Sequence, residues 1–189
     1  MSEFVLIGAG GHAKAIVEAI RSAGSDIAAY SDPHAADWLN APRLNSDEDV
    51  EKDTTIVIGV GGTEPDRLER RLALLDGFIN RGHGADPVVH PSADVSPSAT
   101  IEVGAIVLAG AVVQPDARVG RGAIVNTGAM LEHDSTLGPG SHLAPGAIVL
   151  GGCSIGACAM IGAGAIVLPG DTVPDGGFVP AGKRYKAAS

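Results

Sequence analysis

Aromatic side chains make up only 3% of this 189-residue chain: one Trp, two Tyr and three Phe. A core of stacked rings is thereby excluded, and with 45% hydrophobic content the interior has to be Val, Ile, Leu and Ala in regular layers. Cysteine is scarce as well, Cys153 and Cys158 being the two present. With no signal peptide in view they argue against a disulfide framework, and both are expected as small buried hydrophobes inside the packed interior. Positive charge is short, 13 Lys+Arg against 22 Asp+Glu, for a net charge of −9. No basic face is available for nucleic acid, and no Lys-rich run for an anionic membrane surface. Nor does any apolar run approach the roughly 18 residues of a membrane span. Met1-Ser2-Glu3-Phe4-Val5 lacks a cationic n-region, and a soluble, cytoplasmic protein is expected.

What the chain does have is a period. From Val89 to Val179 an aliphatic residue returns at every sixth position, sixteen times in succession. Four residues after each one stands a small side chain, from Ala93 through Ser135, Ser141 and Cys153 to Ala165; only Asp171, Gly177 and Lys183 break this second rule. Period six is neither helical nor a simple alternation, and long tracts of it mark a parallel β-helix. Each hexad forms one flat side and three make a triangular coil, so the 96 residues from Val89 to Arg184 supply a little over five coils. Val107, Val125, Leu143 and Ile161 should stack as one buried ladder, with the small fifth residue at the tight corner.

Ahead of the repeats the pattern differs. Phe4 to Ile7 reads as a strand, Gly8 to Gly11 as a turn, and Ala15, Ile16, Ala19, Ile20 and Ala23 recur at helical spacing up to Gly24. Asp26 to Tyr30 makes a second strand, residues 34–53 are mostly loop with a turn of helix, and Thr54 to Val60 makes a third strand. Pro65 to Phe78 then forms a helix with Leu68, Leu72 and Leu75 on one face. The fold class is therefore an α/β half-Rossmann-like domain over 1–86 followed by an all-β parallel β-helix over 87–189. No flexible linker intervenes, so the two should pack together. Most of the acidity is in front: residues 1–86 carry 8 Lys+Arg against 15 Asp+Glu, and the remainder 5 against 7.

Gly8-x-Gly10-x-x-Ala13, with Asp32 further on, matches the dinucleotide fingerprint, in which glycines admit a phosphate to a helix N-terminus. About 85 residues leave no room for a second mononucleotide half, so a single nucleotide or nucleotide-sugar fits better than NAD, and a ligand-free tight turn is the bland alternative. Within the coils one segment departs from apolar and small residues, Asn126 through Glu132-His133-Asp134. His133 is third in its hexad and should face outward, where an imidazole oriented by a carboxylate serves as a proton acceptor. A solvated surface histidine is the plain alternative. His142, nine residues on, ends the next hexad near a corner, and the two are placed to flank one groove between subunits. His90 is expected in a structural hydrogen bond, and His34 and His83 are assigned no role.

Taken in order, Gly10-Gly11-His12-Ala13-Lys14, Ser31-Asp32, Ile58-Gly59, His90-Pro91-Ser92-Ala93 and Asn126-Thr127 through Glu132-His133-Asp134 resemble the sialic acid O-acetyltransferase-type and nucleotide-amino-sugar N-acetyltransferase family. The resemblance implies a left-handed β-helix, commonly a homotrimer with sites between subunits, and acetyl transfer from acetyl-CoA to the 4-amino group of a nucleotide-linked 4-amino-4,6-dideoxy sugar. His133 would be the general base and Asp134 its partner. Gly10, Gly11, His12, Ser31, Asp32 and Gly59 would hold the nucleotide-sugar, and His142 with the backbone at Ala163 and Ala181 would line the acetyl-CoA groove. Relatives often carry an Asn-rich turn where this chain has Val60-Gly61-Gly62. They usually end in Gly-x-Pro-Ala where it has Lys183-Arg184-Tyr185-Lys186, cations suited to CoA phosphates.

The mechanism that follows is direct transfer in a ternary complex, with backbone N–H groups stabilising the oxyanion and no acyl-enzyme. No metal is expected: a γ-carbonic-anhydrase-like zinc site on the same prism needs three converging histidines, and only His133 and His142 are well placed in the coils. A sialic acid or other sugar O-acetyltransferase, and a non-catalytic nucleotide-sugar-binding protein, stay open as alternatives.

Overall fold

The computed structural model describes residues 3–187. Met1, Ser2, Ala188 and Ser189 lie outside the described residues, and with them parts of the readings made at the two ends. The front of the chain is a parallel sheet of β1 (Glu3–Ile7), β2 (Asp26–Ser31), β3 (Arg43–Leu44) and β4 (Thr55–Ile58) in the order β3-β2-β1-β4. Alternation along β1 explains how it is sandwiched. Phe4 and Leu6 pack with α1 (Gly11–Ser22), while Val5 and Ile7 pack with Leu75 and Phe78 of α2 (Pro65–Asn80). Helix α1 buries Ala13, Ile16, Val17, Ala19 and Ile20, a stripe at helical spacing, and is followed by Gly24 in the left-handed conformation at φ +83°. Helix α2 begins with Pro65 in its first turn, where a missing N–H costs nothing. The stretch read as mostly loop with a turn of helix has that turn as 3-10 helix at Asp47–Asp49, and contains β3 as well.

From Val88–Val89 onward the chain winds as a three-sided prism of two-residue strands, each paired in parallel with the strand 18 residues on. Val107, Val125, Leu143 and Ile161 are paired in register and fully buried, the ladder that the hexads require. Small fifth-position residues such as Ala105, Ala123 and Ala159 are equally buried beside them. The corners obey a further rule at the fourth hexad position, where Gly104, Gly110, Gly122 and their successors take φ near +65°. Only a residue without Cβ reaches that region at little cost. Asp116, Asp134 and Cys158 occupy it nonetheless, at φ 59°, 59° and 52°.

The three faces differ in what they present outward. The face carrying Ile106–Val107, Ile124–Val125 and His142–Leu143 docks on the α/β unit: Ile106, Leu108 and Ile124 share one buried cluster with α1 and β1. Helix α2 runs along the corner before this face, so close that a Cβ on Gly104 or Gly122 would lie 2.6 or 2.8 Å from Leu75. A second face turns Val112, Met130, Ile148 and Ile166 outward in one register, and a third turns out Thr100, Arg118, Thr136, Ser154 and Thr172.

One placement corrects the sequence expectation. Cys153 is inside the prism as expected, but Cys158 is not: it packs outside, with Leu68 of α2, Ala144 and Met160. The fourth hexad position points out of the corner, and it is α2 that covers it. Burial raises the pKa of both thiols, so both are poor nucleophiles.

Candidate active site

Two adjoining cavities open where the α/β unit meets the docked face, and His12 lines both. The first lies over the glycine turn between β1 and α1. Its glycines are there for two different reasons. A Cβ on Gly8 would lie 2.5 Å from Val60 Cγ2, and one on Gly59 would lie 2.0 Å from the Gly8 carbonyl oxygen and 2.9 Å from Ala13 Cβ. Those two let the ends of β1 and β4 pass each other. Gly10 and Gly11 instead meet nothing within 4 Å, and neither has a positive φ. Nothing in the chain's own packing demands glycine there. The open space in front of the α1 N-terminus does, if a phosphate is to approach the backbone.

The turn is held from both sides. Ala9 N–H donates to Asp32 Oδ2 at 2.7 Å, and Trp38 Nε1–H donates to the Ala9 carbonyl at 3.1 Å. Asp32 Oδ1 accepts from His34 N–H at 2.8 Å. Despite the cost of its partial burial, these backbone donors keep the Asp32 carboxyl below its ordinary range, fully ionised at neutral pH. Asp32 is therefore already engaged in shaping the turn, with its second lone pairs left for a ligand.

The second cavity, of about 540 Å³, gathers His12, Asn126, His142, Ala163, Phe178 and Ala181. His142 is buried, and its Nδ1–H donates to the Gly62 carbonyl at 2.8 Å. A carbonyl only accepts, so Nε2 is the unprotonated nitrogen and takes a hydrogen bond from Asn126 Nδ2–H at 3.0 Å. The His12 ring lies 6.1 Å from that of His142, and its buried Nε2 has no hydrogen-bond partner among the described residues. Burial, with the neighbouring Arg71 cation contributing, pushes the pKa of each down to about 4. Both rings are neutral near pH 7 and become charged only in acid.

The Val60-Gly61-Gly62 turn has its own steric reason. Gly61 passes 3.0 Å from the His12 Cβ, and Gly62 passes 2.9 Å from a Leu68 methyl, each measured from where a Cβ would stand. Glycine in both places brings the Gly62 carbonyl onto His142. Arg71, fully buried in α2, donates to the Val60 carbonyl at 3.1 Å and also to the Gly122 carbonyl, tying this turn to the prism corner.

His133 stands apart from both cavities, at the corner between the face of Met130–Leu131 and that of Thr136–Leu137. Its side chain is 62% exposed, as the hexad phase requires. Nδ1 is 2.7 Å from Asp134 Oδ2, so Nδ1 carries the proton and Nε2 is the free base. This hydrogen bond, with the charges of Asp134 and Glu132, raises the His133 pKa above its ordinary value. Asp134 reaches the ring from the left-handed corner position at φ 59°, which Asp tolerates better than most residues. Across the next coil the ring lies over Gly151, where a Cβ would fall 2.6 Å from His133 Nε2. Nothing in the hexad pattern singles out Gly151, because its neighbours in the repeat are glycine for other reasons.

One chain thus unites His12, His142, Ala163 and Ala181 in one cavity, and Gly10, Gly11, Asp32 and Gly59 in the next. Ser31 lies beyond Asp32 in a third. It leaves the His133–Asp134 pair on another edge. Asn126, Gly62 and Phe178 join the assembly without having been given roles from the sequence. Asn126 had the signal, a polar residue in an apolar tract; Phe178, 53% exposed, has none beyond its hexad slot. Among the described residues no three His, Cys, Asp or Glu side chains converge as metal ligands.

An α/β unit docked on a hexapeptide prism is an architecture found among hexapeptide-repeat acetyltransferases. The family model for the PglD N-terminal domain matches residues 3–65. The acetyltransferase domain of PglB from Neisseria gonorrhoeae FA1090 is 30% identical over 98% of this chain and 92% of that one, with a TM-score of 0.90. The same domain in complex with acetyl coenzyme A is 31% identical over 95% and 88%, with a TM-score of 0.87. PerB from Caulobacter crescentus, in complex with CoA and GDP-perosamine, is 32% identical over 98% and 89%, with a TM-score of 0.87. No curated protein sequence matches. The chain belongs to the nucleotide-amino-sugar N-acetyltransferase family and is an acetyltransferase, its prism the left-handed β-helix of that family.

Proposed function

We propose that this protein transfers an acetyl group from acetyl-CoA to the 4-amino group of a nucleotide-linked 4-amino-4,6-dideoxy sugar, with His133 as general base. The observation that carries this reading is the His133–Asp134 pair, whose 2.7 Å hydrogen bond leaves Nε2 unprotonated and facing out. The amine attacks the thioester carbonyl, His133 Nε2 takes the proton the nitrogen loses, and the CoA thiolate leaves as the tetrahedral intermediate collapses. No acyl-enzyme is needed, and neither thiol is accessible to form one. Gly10 and Gly11 receive the diphosphate, Ser31, Asp32 and Gly59 border the nucleotide, and His12 lies where the sugar passes into the second cavity. There His142, Ala163 and Ala181 line the path of acetyl-CoA. Residues 1–86 and 87–189 act as the two working units.

The site is complete only between copies of the chain. Val112, Met130, Ile148 and Ile166 form a half-buried to exposed apolar column on a face that no element among the described residues covers, whereas the third face is polar. A triangular prism with one such face buries it by association around a threefold axis. His133 sits at the edge of that face, placed to meet the cavity of a neighbouring subunit. Release of free thiol from acetyl-CoA across UDP-, dTDP- and GDP-linked 4-amino sugars, with sialic acid as hydroxyl acceptor, tests the reading. Turnover with an amino sugar and its loss in His133→Ala trimers are expected. Turnover with sialic acid alone would instead make the protein an O-acetyltransferase.

A further inference from the structure

Beyond Asp32 the cavity over the glycine turn continues into a third, of about 450 Å³, whose further lining at Asn45, Ser46 and Asp47 has been given no part so far. The two share Gly8, Asp32 and Val60, so a nucleotide whose phosphates sit before α1 extends its base into the third. Its lining includes the apolar Pro33, Val60 and Leu74 and the polar Ser31, Asp32 and Asp47.

Asp47 is held in place with some care. It opens the 3-10 turn that Ser46 caps: Glu48 N–H donates to Ser46 Oγ at 3.2 Å, and Ser46 N–H donates to Asp49 Oδ2 at 3.1 Å. Asp47 Oδ1 accepts from the buried Ser31 hydroxyl at 2.5 Å, and Oδ2 makes no hydrogen bond among the described residues. The Ser31 proton is spent on Asp47, and both Asp32 oxygens already accept backbone N–H groups. Among the side chains of the polar edge, only the amide of Asn45 and the hydroxyl of Ser46 remain to donate.

We propose, resting on the nucleotide-sugar reading above, that Asp47 reads the base and that the nucleotide is a guanosine diphosphate. Guanine presents two adjacent donors, N1–H and N2–H₂, a pair that one carboxylate accepts side by side. Uracil and thymine present carbonyl oxygens on both sides of a single N–H, and a carboxylate repels them. Adenine has an exocyclic amine beside an unprotonated ring nitrogen, so it satisfies one oxygen and opposes the other.

Calorimetric titration of the full-length protein with GDP, UDP, dTDP and ADP tests this. GDP is expected to bind at least about ten-fold tighter than each of the others. Asp47→Asn should weaken GDP at least about ten-fold and bring the GDP to UDP ratio within about three-fold, since an amide offers a donor to uracil O4. Asp49→Ala removes the acceptor of the Ser46 N–H in the same 3-10 turn but keeps the Asp47 carboxylate, and should retain the preference for GDP. The proposal is overturned if another nucleotide binds as tightly as GDP, if Asp47→Asn leaves the ratio unchanged, or if Asp49→Ala abolishes it equally. Absence of binding by every nucleotide would sink the nucleotide-sugar reading as well. GDP preference without acetyl transfer to any GDP-4-amino sugar would keep this inference and sink only the proposed activity.

Discussion

At the scale of single residues, the His133–Asp134 pair couples a chemical requirement to a backbone one. The fourth hexad position wants glycine, and Asp134 accepts left-handed geometry there at φ 59° in order to reach Nδ1 at 2.7 Å. Its effect on pH dependence follows from the sign of the shift. The base proposed for His133 works only unprotonated, and the Asp134 hydrogen bond raises the His133 pKa, so on that proposal kcat/KM should fall with decreasing pH through a midpoint above the ordinary histidine value. Asp134→Asn should move that midpoint down and lower the plateau by about a hundred-fold or more, because an amide also stabilises the wrong tautomer. A pH profile of both proteins checks it, and an unmoved midpoint would exclude the pairing. Gly151→Ala makes a separate prediction. Its methyl would occupy the place of the His133 ring, so the ring turns away, the fold persists and kcat drops about a hundred-fold. Circular dichroism beside steady-state kinetics distinguishes this from unfolding.

Elements are fixed by how closely they approach. Helix α2 lies on the prism corner because Gly104 and Gly122 carry no Cβ, and Leu75 fills the space that one would need. Gly128 has the same φ of +64° as Gly122 but nothing within 4 Å of a would-be Cβ. Alanine at either position incurs the left-handed strain, about 1–2 kcal/mol. At Gly122 it also forces Leu75 and α2 outward, adding about 1–3 kcal/mol of overpacking. Urea unfolding of Gly122→Ala and Gly128→Ala should therefore separate the two by that second amount, and equal losses would mean that α2 does not press on the corner. At this scale the sequence was only partly legible. Position one and position five of the hexad could be read because apolar and small residues recur there without interruption. Position four is glycine often enough to blend into a glycine-rich background, and the burial of Cys158 outside the prism depends on α2, seventy and more residues away in sequence.

For the whole molecule, the faces of the prism decide what the enzyme can become. One face is covered by the α/β unit and one is polar, while the third shows a column of Val112, Met130, Ile148 and Ile166. Ile148→Asp should yield monomers by light scattering, with the coil intact by circular dichroism and acetyl transfer lost, since His133 would no longer meet a neighbour's cavity. A monomer that retained full turnover would place the whole site within one chain.

The sequence by itself determined the coil. Strict period six, β-branched residues and corner alanines admit one way of burying sixteen aliphatic ladder rungs, and local spacing suffices to read it. It also marked His133, because phase alone puts the third hexad position outside. Only the tertiary structure decided which tautomer His142 adopts, why Gly10 and Gly59 are glycine for opposite reasons, and that Asp47 stands beside Ser31. Each of these depends on contacts between segments far apart in the chain. Their geometry is set by the docking of a helix and a sheet against one face of the prism, and residue order along the chain carries no record of that distance.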